Sequence, residues 1–422
     1  MVNRSTAQKP SGIRIRPYRD PADREAAIRI WREVGWIEEE KRHEQALATF
    51  LSGSEVWLAE LRDAPECLVA TMPGTVMYLN RELKMRAVTA VTTSRVARRQ
   101  GLASRATAYA LAQSARNGEI AAFLGIFDQG FYDRLGFGTG AYERRITFDP
   151  SALVVEGPAR VPHRLSPDQA ATVHQARLGR MRWHGSCNIN PPEFTHAEMS
   201  LSKNGFGLGY FAPDGRITHH LWATAKGENG PYGIEWLSYE NAEQFLELLR
   251  LIKGLADQVY AVGMQEPGWI QLQDLLDQPF RRHIITTRSA MESSFESYAY
   301  WQVRILDLEK AMAVTSLPGT GQISFNLQLE DPVARYLDES DGWNGVSGQY
   351  VVTIGEVSHA RPGQSSSLPT MWATVNAFSR LWLGTASALS LSVTGGLQAP
   401  AELLAELSGV LCMPKPSLDW IF

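Results

Sequence analysis

Two short stretches of this chain join residue types that can do chemistry at a useful spacing. The first is Arg98-Arg99-Gln100-Gly101-Leu102-Ala103, preceded by the β-branched run Val88-Thr89-Ala90-Val91-Thr92-Thr93. A strand feeding an Arg/Gly turn and a helix start makes an anion cradle. The first helical N–H groups have no intrahelical acceptor there, and the helix dipole adds partial positive charge. A Cβ at position 101 would hold phosphates off the backbone, which glycine avoids. Arg98 and Arg99 add charge-assisted contacts to a pyrophosphate or a sugar phosphate. Val91, Thr92 and Thr93 offer edge backbone groups to the amides of an extended ligand. The second stretch, about thirty residues on, is Tyr132-Asp133-Arg134-Leu135-Gly136-Phe137. Either Tyr132 packs as an aromatic on a short helix, or its phenol returns a proton to a departing thiolate. The intrinsic values, about 10 for a phenol and about 8.5 for a thiol, are close enough for the second role.

The end of the chain is also unusual. Pro414-Lys415-Pro416 stiffens a segment that finishes Asp419-Trp420-Ile421-Phe422. Termini commonly fray in polar residues, so an apolar end suggests docking. Docking leaves two alternatives: the tail seals a core with its carboxylate at the surface, or it carries that carboxylate indoors. An α-carboxylate titrates near 3.5 in water, and burial raises it toward the range of a useful base.

Other candidates carry less. Glu38-Glu39-Glu40 and Glu44, close to Trp31 and Trp36, read as a solvated helix face or as a receiver for a polycation. His219-His220 and the scattered His163, His174, His184 and His196 lack ligand spacing, so no metal is expected. Gly205-Phe206-Gly207-Leu208-Gly209 lacks the last interval of a dinucleotide fingerprint and reads as a strand edge.

The bulk numbers frame these motifs. At 422 residues the chain is too long for one ordinary core. Its 44% hydrophobic and 20% charged residues are those of a folded, soluble protein, and a net charge of −4 gives nucleic acid no basic face. Cys67, Cys187 and Cys412 fit neither a disulfide framework nor a zinc site, and read as thiols in a reducing compartment. Met1–Gly12 shows no apolar leader, and Leu381–Leu397 is too broken and short to span a membrane; a cytoplasmic location is expected.

The elements that must position the motifs follow from periodicity. Residues 13–17 read as a first strand, and 20–36 and 39–52 as helices, with Ala27, Ile30, Trp31 and Val34 at helical spacing. Strands are predicted over Glu55–Leu61, Cys67–Leu79 and up to Thr93. A helix is predicted from Gly101 to Asn117, with Leu102, Ala106 and Ala110 on its packed face. Ala121–Phe127 reads as a buried strand and Gln129–Leu135 as a short helix capped by Gly136. Tyr142–Phe148 then closes the unit near residue 150. A second α/β region follows, with a hairpin at Pro213-Asp214-Gly215 and a strand, helix, strand run over Gly233–Leu237, Ala242–Leu255 and Val259–Gly263. That helix starts with Glu240, Asn241 and Glu243, whose carboxylates would repel a pyrophosphate, so no cofactor is expected there. From about Val303 the pattern changes again. Ile323–Leu329 and Tyr350–Glu356 read as strands, Pro369–Phe378 and Ala401–Leu407 as helices, and Arg361–Ser367 as a mobile connection.

The order β-α-α-β-β-β-α-β-α-β is that of a GNAT acetyltransferase domain, and the whole chain resembles the Eis (enhanced intracellular survival) family of bacterial GNAT N-acetyltransferases. The likeness is carried by Val91-Thr92-Thr93, Arg98–Ala103, Phe131–Gly138, Leu381-Trp382-Leu383-Gly384 and the Asp419–Phe422 end. The resemblance implies an α/β chain of tandem GNAT domains: a catalytic one at 1–150 and a degenerate second at 151–305. A sterol-carrier-protein-like domain at 306–422 completes it. It also implies that acetyl-CoA is the co-substrate, held by Val91, Thr92, Thr93, Arg98, Arg99, Gln100, Gly101, Leu102, Ala103, Ser104, Phe127 and Asp128. Tyr132 would be the general acid, and Phe422, through its free carboxylate, the general base. A homo-hexamer acting on a small polycationic amine such as an aminoglycoside is expected. A protein lysine acetyltransferase, or a lipid-binding protein with a vestigial acetyl-CoA site, stands as the alternative.

Overall fold

The described residues build three sheets whose strands do not follow chain order. A computed structural model describes residues 13–126, 129–158 and 160–422. Met1–Gly12, on which the reading of an absent leader rests, lies outside the described residues. So do the cofactor candidates Phe127 and Asp128.

The first region comprises β1 (Arg14–Pro17), α1 (Arg24–Glu33), α2 (Lys41–Ser52), β2 (Glu55–Leu61), β3 (Ala64–Tyr78), β4 (Arg81–Thr93), α3 (Leu102–Arg116), β5 (Ala121–Gly125), β6 (Gly138–Thr139) and β7 (Glu143–Phe148). The second comprises β8 (His163–Leu165), α4 (Ala170–Leu178), β9 (Cys187–Ile189), α5 (Pro192–Leu201), β10 (Gly205–Phe211), β11 (Ile217–Ala225), β12 (Tyr232–Ser238), α6 (Ala242–Lys253), β13 (Val262–Gln265), α7 (Pro279–Thr286), β14 (Ser294–Tyr298) and β15 (Trp301–Ile305). The third comprises α8 (Leu308–Ala313), β16 (Ile323–Glu330), β17 (Gly348–Ile354), β18 (His359–Pro362), β19 (Thr370–Thr374), α9 (Val375–Leu383), α10 (Ala388–Thr394), β20 (Leu397–Gln398) and α11 (Ala401–Val410).

The first sheet runs β1-β2-β3-β4-β5-β15-β6, with β9 added beside β3. The second runs β14-β7-β13-β12-β11-β10-β8 and the third β18-β17-β16-β19-β20. The two larger sheets have therefore exchanged strands. The strand expected to close the first unit, β7, pairs with β13 and β14, while β15 from downstream fills the place between β5 and β6. At this crossing Gly140 carries no side chain because a Cβ there would strike the Trp301 ring at 2.2 Å.

Successive β5 residues face opposite layers, as the two-residue period of a strand requires. Phe123 joins a core shared with Trp301, Phe325, Trp382 and Trp420, so the third region packs directly on the first. Ala122 and Leu124 face α3, Tyr132 and Phe137. Both faces are covered, which is why β5 reads as an unbroken apolar run.

Two expectations in the third region fail. Thr370–Thr374, within the stretch expected to be helical, is strand β19, paired in parallel with β16; the helix begins only at Val375. A short apolar run is ambiguous in periodicity, and pairing partners decide it. The connection after β18 is tied rather than loose: buried Asn326 donates to the Ser365 and Leu368 carbonyls, and its Oδ1 accepts from the Ser365 N–H. Gly205, Gly207 and Gly209 form part of β10, one strand in from the sheet edge, where Trp222 and Leu165 leave no room for a Cβ.

One buried histidine pins the regions together. His184 accepts from the Leu79 N–H at Nδ1, and its Nε2 lies 2.9 Å from the Leu383 carbonyl, so one imidazole bridges all three. Burial lowers its pKa, and lowers His174 to about 4 and His220 to about 3. Each ring is neutral when folded and takes up a proton near pH 6.5 once unfolded. The fold is therefore favoured above about pH 6.5 and loses that advantage as pH falls toward the folded values. Urea unfolding should show stability dropping between pH 6.5 and 5, by up to about 1.4 kcal/mol per pH unit for each imidazole. A flat profile over that window would contradict it.

Candidate active site

The site begins where β4 and β5 part. Their parallel ladder runs from Met85↔Ala121 to Val88↔Leu124 and stops. Beyond it β4 pairs only with β3, through Leu68↔Thr92 and Cys67↔Thr93. The parting coincides with a bulge: β3 skips register between Leu68 and Ala70, and Ala90 takes φ +50°, a conformation L-residues rarely adopt. The backbone of Val91–Thr93 thus presents an edge that β5 does not fill. This edge is where the sequence placed a ligand's amides.

Past Thr93 the chain turns through Ser94–Ala97 and enters α3. Gly101 stands at its N-cap with φ +82°, Arg99 is also left-handed at φ +62°, and no side chain caps the helix. The first intrahelical bond runs from the Arg105 N–H to the Gly101 carbonyl, and no described residue accepts the N–H groups of Leu102, Ala103 or Ser104. No carboxylate occupies the first turn, and Arg98, Arg99, Gln100 and Gly101 are exposed. The same position in the second region is self-satisfied. There Asn241 caps the Gln244 N–H, Gln244 Oε1 accepts from the Glu240 N–H, and Glu243 sits in the first turn. One cradle is open to a phosphate and the other is closed by its own side chains.

Tyr132 opens a single 3₁₀ turn, Tyr132–Leu135, ended by Gly136 at φ +85° as expected. Its ring is buried, edge-on to Phe131 and Phe137. Burial raises the phenol above its ordinary value, and the neighbouring Cys67, itself pushed up to about 12 by burial, adds to the shift. The hydroxyl therefore stays protonated through the neutral range, and Cys67 stays a thiol.

The supports of this turn come from far along the chain and carry no sequence signal. Gln302 Nε2 donates to Asp133 Oδ1 at 2.8 Å, and Arg304 donates to the Leu135 carbonyl. Asn376 Nδ2 donates to the carbonyls of Asp133 and Phe137 at 2.8 and 2.7 Å. Arg304 is itself fixed by a fully buried ion pair with Asp331, at 2.7 Å. The strand exchange that inserts β15 beside β5 brings Gln302 and Arg304 to this turn, and α9 brings Asn376.

The C-terminal tail reaches the same place. A Cβ on Gly125, the last residue of β5, would stand 2.7 Å from the Phe422 backbone oxygen. Trp420 and Leu418 are buried, and Phe422 packs at the edge of the core shared by the first and third regions. Tail and β4–β5 parting thus meet at Gly125. The acidic run follows α1, whose last residue Glu33 accepts the Arg95 N–H at 2.7 Å just past the end of β4. Arg32 pairs with Glu44, whereas Glu38 and Glu40 are exposed and Trp36 is 47% exposed.

Residues 14–140 match the model of the acetyltransferase (GNAT) domain. The chain thus carries a GNAT N-acetyltransferase domain, with β4, α3 and β5 at its centre. It is 22% identical over 355 residues, 77% of each chain, to an uncharacterized N-acetyltransferase of Streptomyces avermitilis. Its fold is similar, at TM-score 0.77 and 17% identity, to that of a probable N-acyltransferase from Enterococcus faecalis; the match covers 97% of this chain and 100% of that one. It is likewise similar to Eis1 from Mycobacterium abscessus, at TM-score 0.71 and 15% identity over 97% and 100% of the two chains.

Replacing Gly125 by alanine should push Phe422 off β5, because the atom it meets is backbone rather than a flexible side-chain end. A crystal structure of the variant with Phe422 unmoved would contradict this packing.

Proposed function

We propose that the chain transfers an acetyl group from acetyl-CoA to a primary amine of a small polycationic molecule, aminoglycoside- or polyamine-like, within a ternary complex. The observation that carries the reading is the approach of Phe422 to Gly125 at the parting of β4 and β5. The uncapped start of α3, with Arg98 and Arg99, suits the phosphates of the co-substrate. The free edge of Val91–Thr93 suits its amides. Acetyl-CoA supplies a thioester carbonyl open to attack by an amine.

The residues then divide the proton work. The Phe422 α-carboxylate takes a proton from the incoming ammonium, directly or through a water. A backbone N–H of Val91–Thr93 donates to the carbonyl oxygen as negative charge develops there. The new C–N bond forms as the C–S bond breaks, Tyr132 gives its phenolic proton to the leaving sulfur, and the second proton shed by the nitrogen as it becomes an amide, carried by solvent, restores the phenol. Holding both reactants in one cleft supplies much of the acceleration. The exposed carboxylates Glu38 and Glu40 beside Trp36 favour a cationic acceptor.

We further assign the Eis-like arrangement, with a degenerate second GNAT unit and a sterol-carrier-like third domain, and a homo-hexameric assembly. Phe280, Ile284 and Ile285 on α7 and Phe295 on the edge strand β14 are exposed apolar side chains, which supports association with further copies.

A coenzyme A release assay across polyamines, aminoglycosides and lysine peptides should find turnover with polyamines or aminoglycosides; activity on lysine peptides alone would point to the protein acetyltransferase alternative. Appending a few residues after Phe422 should lower turnover about 10²-fold or more while acetyl-CoA binding survives; unchanged turnover would remove the base. Tyr132→Phe should lower kcat by a similar factor. Because burial raises this phenol, its ionisation cannot produce an alkaline limb below about pH 10, and Tyr132→Phe should leave any such limb in place.

A further inference from the structure

The second region repeats the parting of strands seen at the active site, and something else fills the gap. Parallel pairing of β12 with β13 runs from Tyr232↔Val262 to Ile234↔Met264 and stops. Into the opening beyond it comes the C-terminal tail. Gln265 Nε2 donates to the Leu418 carbonyl at 2.7 Å, and a Cβ on Gly268 would meet Ser417 Cβ at 2.4 Å. The cavity that remains is lined by Trp183, Trp236, Gln265, Ser417 and Asp419.

The tail is clamped there by charge as well as shape. Arg180 grips Asp419 in two bonds, Nε to Oδ2 at 2.9 Å and Nη2 to Oδ1 at 2.7 Å. Its remaining donors go to the carbonyls of Arg177 and Cys187 and to Asn188 Oδ1, so all five N–H groups of a buried guanidinium are used. The Cys187 N–H adds a third bond to Asp419. Next along, the Trp420 ring lies 3.8 Å from the Arg177 guanidinium, whose other neighbour at 3.9 Å is Trp236. Ile421, by contrast, is half exposed. Three residues of chain span at most about 11 Å, so a fixed Asp419 confines Phe422 to a small volume next to Gly125.

We infer that the parted strands β12 and β13 of the second region serve as a socket for the chain's own tail, and that Arg180, acting through Asp419, is the positioning residue that sets the Phe422 carboxylate beside the acetyl-transfer site. The second domain would thus contribute to the reaction by holding the base rather than by binding a co-substrate. The inference rests on the assignment of Phe422 as general base.

The test uses the full chain ending at Phe422 and the variants Asp419→Asn, Asp419→Glu and Arg180→Lys. Turnover is read against pH, with acetyl-CoA binding and the rate of carboxypeptidase release of Phe422 read alongside. Asp419→Asn and Arg180→Lys should lower kcat at least tenfold, alter the acidic limb of the pH profile, speed release of Phe422 and leave acetyl-CoA affinity within twofold. Asp419→Glu should recover part of the turnover. If these variants keep parental turnover and pH profile while the chain extended beyond Phe422 is crippled, Arg180 is not a positioning residue although the base assignment stands. If the extended chain is fully active, the base assignment itself has failed. A loss of melting temperature with kcat and pH profile unchanged assigns Arg180 to stability alone and overturns the inference.

Discussion

The failure of β4 and β5 to stay paired is the constraint on which the rest of this molecule depends. Two parallel strands that remained bonded past Val88 and Leu124 would leave no backbone edge for a ligand and no opening for a reacting pair. The bulge at Ala90, with its left-handed φ, bends β4 away and leaves the side of Val91–Thr93 that faces away from β3 without a strand partner among the described residues. Such backbone costs of order 1–3 kcal/mol and survives only where the surroundings over-determine it. Here the ladder with β3 on either side of the bulge and the buried residues on both faces supply that determination. The uncapped start of α3, the Tyr132 turn and the tail at Gly125 all gather around the one gap.

The exchange of β7 and β15 explains why the site cannot be assigned to one continuous stretch. With β15 in place, Gln302 and Arg304 reach the carbonyl and carboxylate groups of the Tyr132 turn, and Arg304 carries the connection on to buried Asp331. Asn376 from α9 completes the hold. A 3₁₀ turn of four residues has little stability of its own, so its geometry is set by partners drawn from the second and third regions. The core containing Phe123, Phe325 and Trp420 makes the same point in apolar terms, since it belongs to no single domain.

Much of the catalytic region was legible because its signals are local. The strand and helix around Arg98–Ala103, the αL cap at Gly136 and the hairpin at Gly215 follow from residue type and spacing within a few positions. Carboxylates at the start of α6 were legible too, and the structure shows that helix start closed by the side-chain oxygens of Asn241 and Gln244. Ambiguity entered where a short apolar run could be either element. Thr370–Thr374 is a strand because β16 lies beside it, and a distant partner is invisible in a local window.

By itself, then, the chain determined where an anion could be cradled, which tyrosine could follow it, and that its end was too apolar to fray. Those properties reside in backbone propensity, dipoles and side-chain chemistry, all of which act over a turn or two. Only the tertiary structure decided that β7 leaves its own unit, that β15 replaces it, and that the tail threads past Arg180 to end beside Gly125. These outcomes depend on contacts between residues hundreds of positions apart, where burial and complementary charge select one pairing among many that local preference allows equally.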